Sequence, residues 1–212
     1  MNKTQPKLTI ALLAAGQASR FGSPKQLAKY QGKTFIERSI ALLDSIECEP
    51  LIITGAHHTV INEYLASVSK DSYVVFNQNW QQGMSSSIKA AVNYCSEVRH
   101  CGEDSAGINS AGIMFITVDQ VNITQGDIQS LIDHWHKDIS SIVCAEYADH
   151  RGIPAIFPKQ YFPKLLELQN DKGARNLIKS SANVKVLSLP NAELDIDTVE
   201  QLNELNDLHL HP

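Results

Sequence analysis

The sequence predicts an α/β fold in three layers, α/β/α, with helices on both faces of a mostly parallel sheet. Short, nearly uninterrupted apolar runs alternate with longer amphipathic stretches along the chain, and such runs are typical of strands covered on both faces. Strands that alternate with helices form parallel sheets with right-handed crossovers. Because no internal repeat or low-complexity tract divides the chain, we expect a single domain over residues 1–212, with its core at about residues 8–205.

In the first half of the chain, apolar runs predict strands at residues 8–13, 51–54 and 73–76. The first helix is expected to begin at Thr34, because Thr34 and Glu37 have the spacing of a capping box. Ile36, Ile40 and Leu43 then lie on one helical face. Two further helices are predicted, one through residues 61 and 65 and one over residues 84–98.

In the second half, a buried strand at residues 113–118 ends abruptly at Asp119. Later patterns predict extended segments at residues 141–145, 154–157 and 184–187. Helices are predicted at residues 128–135, around Leu165, at 174–178 and at about 198–205. We expect residues 105–112 to form the most mobile loop and the tail after Leu208 to be frayed.

The composition is that of an average globular protein, with 43% hydrophobic and 19% charged residues, which argues against a disordered, collagen-like or coiled-coil chain. The net charge of −5 argues against a general nucleic-acid binder, which would carry a basic patch. No apolar run reaches about 18 residues, so we expect no membrane span. The polar start of the chain lacks a secretory signal pattern, and we expect a cytoplasmic protein.

The chain has four cysteines, at residues 48, 95, 101 and 144. They form no C-x-x-C pair and do not have the spacing of zinc ligands. We expect reduced thiols. The run of Cys95, His100 and Cys101 leaves two interpretations open, a metal site or ordinary loop residues.

The densest functional signal follows the first strand, in residues 14–25. Ligands of open α/β sheets bind at the carboxyl ends of strands. Gly16 and Gly22 let backbone amides approach an anion, and Arg20 and Lys25 add two cations, which together suit a triphosphate. The loop has neither the dinucleotide-binding nor the P-loop glycine pattern. A glycine-bearing turn with two solvated cations is the alternative.

Five separated segments resemble the signature of the MobA-like nucleotidyltransferases, most closely their molybdenum cofactor cytidylyltransferase branch. The first reads L-A-A-G-x-x-x-R-F-G-x-x-K at residues 13–25. The others resemble the branch motifs W-x-x-G-M-x-S-S, D-Q-P, G-D-K-G-A-R and D-I-D-T-P, at residues 79–87, 118–120, 170–175 and 195–198. The resemblance covers roughly residues 8–205 and implies a Rossmann-like fold of the nucleotide-diphospho-sugar transferase type.

The resemblance implies that the first loop binds the triphosphate and that its two cations are catalytic. The residues concerned are Leu13, Ala14, Ala15, Gly16, Arg20 and Lys25. Asp119 and Asp197 are implied to hold Mg²⁺, a hard cation that usually takes one or two carboxylates plus phosphates and waters. Asp119 could instead end its strand, and Asp197 or Thr198 could cap the last helix. Asp195 is a weaker candidate ligand.

Residues 79–87 are implied to face the base and the ribose. The residues named for this role are Gln81, Gln82, Gly83, Ser85 and Ser86. Serines are also good helix N-caps, and Met84 and Trp80 could serve packing instead.

A charged turn at another helix start is implied to bind the phosphate-bearing pterin acceptor, through Asp171, Lys172 and Arg175. A solvated turn is the alternative. The chain departs from the branch pattern at Val121, Ile153, Asn170 and Val199. Ile153 stands where the branch usually has His, which removes a polar contact from the acceptor side.

Together these features predict an Mg²⁺-dependent enzyme that transfers CMP from CTP to the phosphate of molybdopterin and releases pyrophosphate. CTP is favoured because residues 14–16 read Ala-Ala-Gly, where the guanylyl branch typically has Ala-Gly-Gly. One alternative is an enzyme of the same fold that uses GTP, or that acts on a sugar phosphate or another small phosphate. Another alternative is a non-catalytic carrier of molybdenum cofactor. Expected partners are the nucleotide, the molybdopterin-type phosphate, and a molybdoenzyme or its maturation chaperone, but neither nucleic acid nor a membrane.

Overall fold

The computed structural model describes residues 6–68, 73–96, 110–169, 171 and 173–210, with side chains to residue 207. The strands in these ranges are β1 (Leu8–Ala14), β2 (Lys29–Tyr30), β3 (Lys33–Thr34), β4 (Leu51–Thr54), β5 (Tyr73–Phe76), β6 (Gly112–Thr117), β7 (Ile142–Tyr147), β8 (His150–Pro158) and β9 (Val184–Ser188). The α-helices are α1 (Phe35–Asp44), α2 (His58–Val68), α3 (Met84–Ser96), α4 (Gln125–Lys137), α5 (Phe162–Leu166), α6 (Arg175–Ser180) and α7 (Val199–Leu210).

Seven of the strands form one sheet in the order β5-β4-β1-β6-β8-β7-β9. All neighbours in it are parallel except β8, which is antiparallel to both β6 and β7. The strand order reverses at β1, since β4 and β5 lie on one side of it and β6 lies on the other. Such a reversal opens a crevice at the carboxyl ends of the two central strands, where ligands of open α/β sheets bind.

The strands β7 and β8 form a hairpin that extends past the end of β6. β8 pairs with β6 through residues 155–158, whereas its pairing with β7 continues to His150. Ala148 and Asp149 form the tip, with φ angles of 45° and 59°. Positive φ at both central residues is what a type I′ hairpin turn requires.

The side chains of β1 alternate between two hydrophobic layers. Ile10, Leu12 and Ala14 point into one layer, and Ala11 and Leu13 into the other. Helices α1, α2, α4 and α7 cover the first face of the sheet, and α3, α5 and α6 cover the second. Because both faces are covered, nearly every strand position favours an apolar side chain.

The predicted three-layer, mostly parallel α/β fold is confirmed. The capping box is also confirmed, because the Thr34 hydroxyl accepts from the Glu37 amide while the Glu37 carboxylate accepts from the Thr34 amide. The predicted end of the last helix is wrong, since α7 continues past Leu205 to Leu210, where we expected a frayed tail. No helix within the described residues is long and apolar enough to cross a membrane.

Several predicted features fall on residues that the structure does not describe. These are the end of the third helix at 97–98, most of the loop at 105–112, the residues His100, Cys101, Asn170 and Lys172, and the last two residues of the chain. The antiparallel direction of β8 and the short β2–β3 hairpin have no counterpart among the sequence predictions.

Gly112 gives a test of the packing between the sheet and α4. A β-carbon at residue 112 would lie 2.8 Å from the ring of the fully buried Trp135. We expect Gly112→Ala to lower the free energy of unfolding by about 1–3 kcal/mol, because overpacking forces the ring or the strand to shift. Urea unfolding, followed by circular dichroism, measures the change.

The control is the same substitution at Gly126 in the first turn of α4. The nearest atom to an added carbon there is 3.8 Å away. We expect Gly126→Ala to raise the free energy of unfolding by about 0.5 kcal/mol, since alanine restricts the unfolded chain. Equal effects of the two substitutions would contradict the described contact between Gly112 and Trp135.

Candidate active site

A cleft of about 520 Å³ lies at the carboxyl ends of β1 and β6. This volume is in the range of small-molecule sites in proteins. The predicted site residues that line it are Leu13, Ala14, Ala15, Gly16, Lys25, Gln81, Gly83, Asp119, Asp171 and Asp197. The cleft therefore joins the loop after β1 to four segments that are distant in the sequence. Other lining residues, to which the sequence analysis assigned no binding role, are Gln17, Ala18, Ser19, Gln26, Ser87, Thr117 and Val118.

The shape of the first loop depends on Gln26. Its side-chain amide donates hydrogen bonds to the carbonyl oxygens of Ala14 and Gly16, at 2.8 and 2.9 Å. Gln26 is only 3% exposed, so these two bonds hold the loop from its buried side. The sequence did not point to Gln26, because its two acceptors come within reach only once the loop has folded back.

Lys25 lies at the centre of the charged part of the site. Its Nζ is 2.9 Å from Oδ2 of Asp119 and 2.9 Å from Oδ1 of Asp197. Arg20 donates from Nη2 to the other oxygen of Asp197, also at 2.9 Å. The two predicted cations and the two predicted metal ligands are therefore brought together, although Arg20 does not itself line the cleft.

The charges of this cluster shift the pKa values of its members. Burial disfavours the charge of Lys25, but the carboxylates of Asp119 and Asp197 outweigh it and raise the pKa of Lys25. Burial also opposes the charge of Asp197, yet its hydrogen bond to Lys25 and the charges of Lys25 and Arg20 hold the pKa of that carboxyl below its ordinary value. Burial, and the negative charges of Asp119 and Asp197, raise the pKa of Asp195 to about 6.

The two carboxylates are held in place by the backbone around them. The amide of Ile196 donates to the carbonyl oxygen of Asp119 at 3.3 Å, which ties the end of β6 to the segment before α7. The side-chain amide of Gln120 donates to the carbonyl oxygens of Ile153 and Ala192, at 3.1 and 2.9 Å. Gln120, which the sequence analysis quoted only as part of a motif, therefore fixes the turn that follows Asp119.

The hydrogen bonds at the start of α7 show whether Asp197 or Thr198 caps this helix, which the sequence left open. The Gln201 carboxamide oxygen accepts from the backbone amides of Asp197 and Thr198, at 2.7 and 3.1 Å, and the Thr198 hydroxyl accepts from the Gln201 amide at 3.2 Å. Thr198 therefore caps the helix. The carboxylate of Asp197 is directed to Lys25 and Arg20 instead.

The carboxylates of Asp119 and Asp197 are placed so that they could share a divalent metal. Their oxygens already converge on one cation, the ammonium of Lys25, and carboxylate oxygens are the ligands that Mg²⁺ prefers. The described residues contain no group of three or more His, Cys, Asp or Glu side chains that could hold a metal. Two carboxylates alone leave room for phosphate oxygens and waters in a metal's coordination sphere.

The cysteines show no sign of reactivity at the positions that the structure describes. Cys48, Cys95 and Cys144 are free thiols. Burial raises the pKa of each, to about 11 for Cys48 and Cys144, which keeps the thiols protonated near neutral pH. Of the three residues in the alternative metal site, only Cys95 lies within the described residues, and it is buried.

The segment after β5 contributes Trp80, Gln81, Gly83, Met84 and Ser87 to the lining of the cleft. The predicted residues Ser85 and Ser86 are instead buried. Ser86 donates to the carbonyl oxygen of Gly83 at 2.8 Å, so its hydroxyl helps to shape the start of α3. Gln82, within the described chain, is not among the lining residues of the cleft.

Asn77 supports this segment, and the sequence analysis missed it. The Asn77 side-chain amide donates to the hydroxyls of Ser86 and Ser87, at 2.7 and 3.1 Å. Asn77 is 4% exposed and directly follows β5, so it holds the first turn of α3 against the sheet.

Of the predicted acceptor residues, Asp171 lines the cleft beside Gly83. Arg175 is exposed at the start of α6, and its positive charge acts on Asp195 and Tyr147. Arg175 therefore lies close to the acidic cluster rather than far from it. Lys172 lies outside the described residues.

Most of the chain, residues 10–186, matches the family model of the MobA-like NTP transferase domain. A probable molybdenum cofactor guanylyltransferase from Bacillus cereus (strain ATCC 10987 / NRS 248) is 23% identical over 194 residues, which are 91% of this chain and 89% of the relative. The protein of the same name from Bacillus cereus (strain Q1) is 48% identical over 46 residues. That second alignment spans 22% of this chain and 23% of the relative's length.

Rv0371c from Mycobacterium tuberculosis H37Rv has a similar structure. It superposes with a TM-score of 0.78 at 23% identity, over 96% of this chain and 100% of that chain. The structure of Rv0371c in complex with manganese gives a TM-score of 0.71 at 24% identity, over 96% and 99% of the two chains. These likenesses show that the fold is shared over nearly the whole of both chains.

The contacts of Lys25 predict its contribution to stability. We expect Lys25→Met to lower the free energy of unfolding by about 2 kcal/mol, because hydrogen bonds to charged groups contribute about 1.5–3 kcal/mol and the two carboxylates would lose the cation between them. Urea unfolding at pH 7, without divalent metal, measures the effect.

Lys33→Met is the matched control, because it removes the same ammonium from an exposed lysine of β3. Its effect should stay within about 0.5 kcal/mol. If Lys25→Met destabilised the protein no more than Lys33→Met does, Lys25 would not bridge Asp119 and Asp197 in solution.

Proposed function

Because the chain belongs to the MobA-like NTP transferase family and is a nucleotidyltransferase, we propose that it transfers CMP from CTP to the phosphate of molybdopterin and releases pyrophosphate. The observation that carries this proposal is the cluster of Lys25, Asp119 and Asp197 beside the first loop. A protein that only carried the finished cofactor would not need cations and carboxylates converging on one point of a cleft.

In the proposed reaction, an oxygen of the acceptor phosphate attacks the α-phosphorus of the nucleotide. A new P–O bond forms while the bond from the α-phosphorus to the bridging oxygen breaks, and pyrophosphate leaves with that electron pair. The acceptor phosphate is already ionised near neutral pH, so no side chain has to remove a proton from it. Catalysis then rests on positioning and on charge stabilisation.

Lys25 and Arg20 supply that charge in the proposed complex. Both now bind Asp197, and Lys25 also binds Asp119. A triphosphate in the first loop offers them alternative oxygens, and the compact ammonium of Lys25 suits the transferring phosphoryl group. Backbone groups of residues 13–16, whose loop is fixed by Gln26, would hold the remaining phosphates.

Asp119 and Asp197 are the proposed ligands of a divalent metal, which we propose to be Mg²⁺. A metal bound there would neutralise charge on the α-phosphate and help to align it for in-line attack. The manganese complex of Rv0371c supports divalent-metal use in this fold. On this proposal, Lys25 exchanges its two carboxylates for phosphate oxygens when nucleotide and metal bind.

The choice of CTP rests on the first loop, which reads Ala-Ala-Gly at residues 14–16. Gln81 and Gly83 are the proposed contacts of the base and ribose, because they line the cleft. GTP is the second candidate, and the names of the relatives from Bacillus cereus favour it.

Asp171 and Arg175 are the proposed acceptor residues, since they lie beside the cleft and the acidic cluster. We propose that the product passes to a molybdoenzyme or its maturation chaperone. A cytoplasmic site for this reaction is also part of the proposal, and the free thiols at residues 48, 95 and 144 support it.

The test is pyrophosphate release with Mg²⁺ and molybdopterin, offering CTP, GTP, UTP and ATP separately. We expect release with CTP. Asp119→Asn should lower the rate about 100-fold or more, because it removes a ligand charge from the metal. Asp133→Asn, which makes the same change at an exposed residue of α4, should leave the rate unaltered.

Release with GTP but not CTP would overturn the choice of nucleotide while keeping the reaction. Release with a sugar phosphate in place of molybdopterin would overturn the acceptor. If no nucleotide supported release, and Asp119→Asn still transferred bound cofactor to a molybdoenzyme, the protein would be a carrier.

A further inference from the structure

The carboxylate of Asp171 packs directly onto the backbone of Gly83. A β-carbon at residue 83 would lie 1.7 Å from Oδ1 of Asp171 and 3.1 Å from its Cα. Gly83 has a φ of 85°, which favours glycine, and both residues line the cleft. The lack of a side chain at residue 83 is therefore what lets Asp171 approach the cleft so closely.

Within the described part of the chain, Asp171 has no hydrogen-bond donor and no ion-pair partner. This distinguishes it from Asp119 and Asp197, whose oxygens lie 2.9 Å from the ammonium of Lys25. An unpaired carboxylate would repel the phosphates of a nucleotide in the same cleft. It is suited instead to a part of the ligand that offers N–H donors.

We propose that Asp171 recognises a 2-amino-4-oxopyrimidine ring, by accepting hydrogen bonds from its amino group and the adjacent ring N–H. Two parallel N–H donors match the two oxygens of a carboxylate, and such bidentate, charge-assisted pairs are strong and directional. Asp171 is thus a specificity-determining residue.

Two candidate ligands carry this edge of the ring, the pterin of the acceptor and the guanine of GTP, the second candidate nucleotide. Cytosine has an amino group but no N–H beside it, so with CTP as the nucleotide the edge belongs to the pterin of the acceptor. This inference rests on the proposed function, and it deepens it by naming which part of the acceptor Asp171 contacts.

The test measures binding rather than turnover, so that it does not depend on the reaction. The probes are 6-hydroxymethylpterin and the matching lumazine, in which an oxo group replaces the amino group. Isothermal titration should show that the protein prefers the pterin by about tenfold or more, in the range of a good bidentate pair. CMP and GMP are titrated in parallel.

Asp171→Asn should abolish this preference, because the amide replaces one acceptor oxygen by a donor. Asp171→Glu, which keeps the carboxylate, should retain part of it. Asp44→Asn makes the same change at an exposed residue of α1 and should leave all four affinities unaltered. Circular dichroism melting curves verify that each variant is folded.

A loss of pterin preference with unchanged CMP and GMP binding would support recognition of the acceptor. If Asp171→Asn lowered only the affinity for GMP, Asp171 would recognise the same edge on the base of the nucleotide. That result would overturn the assignment of the edge to the pterin. If Asp171→Asn changed none of the affinities, the inference would be wrong. Pyrophosphate release by the wild-type protein separates this failure from a failure of the proposed function.

Discussion

The bridge from Lys25 to Asp119 and Asp197 constrains the rest of the site. Lys25 follows β1, Asp119 follows β6, and Asp197 precedes the last helix, so three distant segments must meet within hydrogen-bond distance. Lys25 is buried, which disfavours its charge, and the two carboxylates offset this effect, while the ammonium of Lys25 lies between their negative charges. The groups proposed to act on phosphates and metal are therefore the same groups that join the segments in the absence of ligand.

Neutral side-chain amides position this cluster. Gln26 directly follows Lys25, and Gln120 directly follows Asp119. Both are buried, and each donates two hydrogen bonds to backbone carbonyl oxygens. An amide can satisfy carbonyls in this way without adding a further charge beside Lys25 or Asp119. The two glutamines thus fix geometry and leave the electrostatic balance to the charged groups.

The sequence predicted the fold well because apolar periodicity and capping depend on local spacing. Thr34 and Glu37 satisfy each other within one helical turn, and their partnership can be read without the rest of the chain. The direction of β8 could not be predicted in this way, because an apolar run has the same pattern in either direction. Lys25, Asp119 and Asp197 could be picked out of the sequence because they carry distinctive chemistry, and the structure brings them together, while their roles stay predictions. Gln26, Asn77 and the contact of Asp171 with Gly83 depend on tertiary neighbours and are not visible in local spacing.

The antiparallel β8 has a consequence for how this chain can change over evolution. Its early residues and the end of β7 extend past β6, and Ile153 in β8 receives a hydrogen bond from Gln120, next to Asp119. The exposed tip at Ala148 and Asp149 lies outside the sheet pairing, a few residues from Ile153. Insertions at such a tip would leave the sheet intact, so the hairpin can lengthen near the candidate site at little cost to folding.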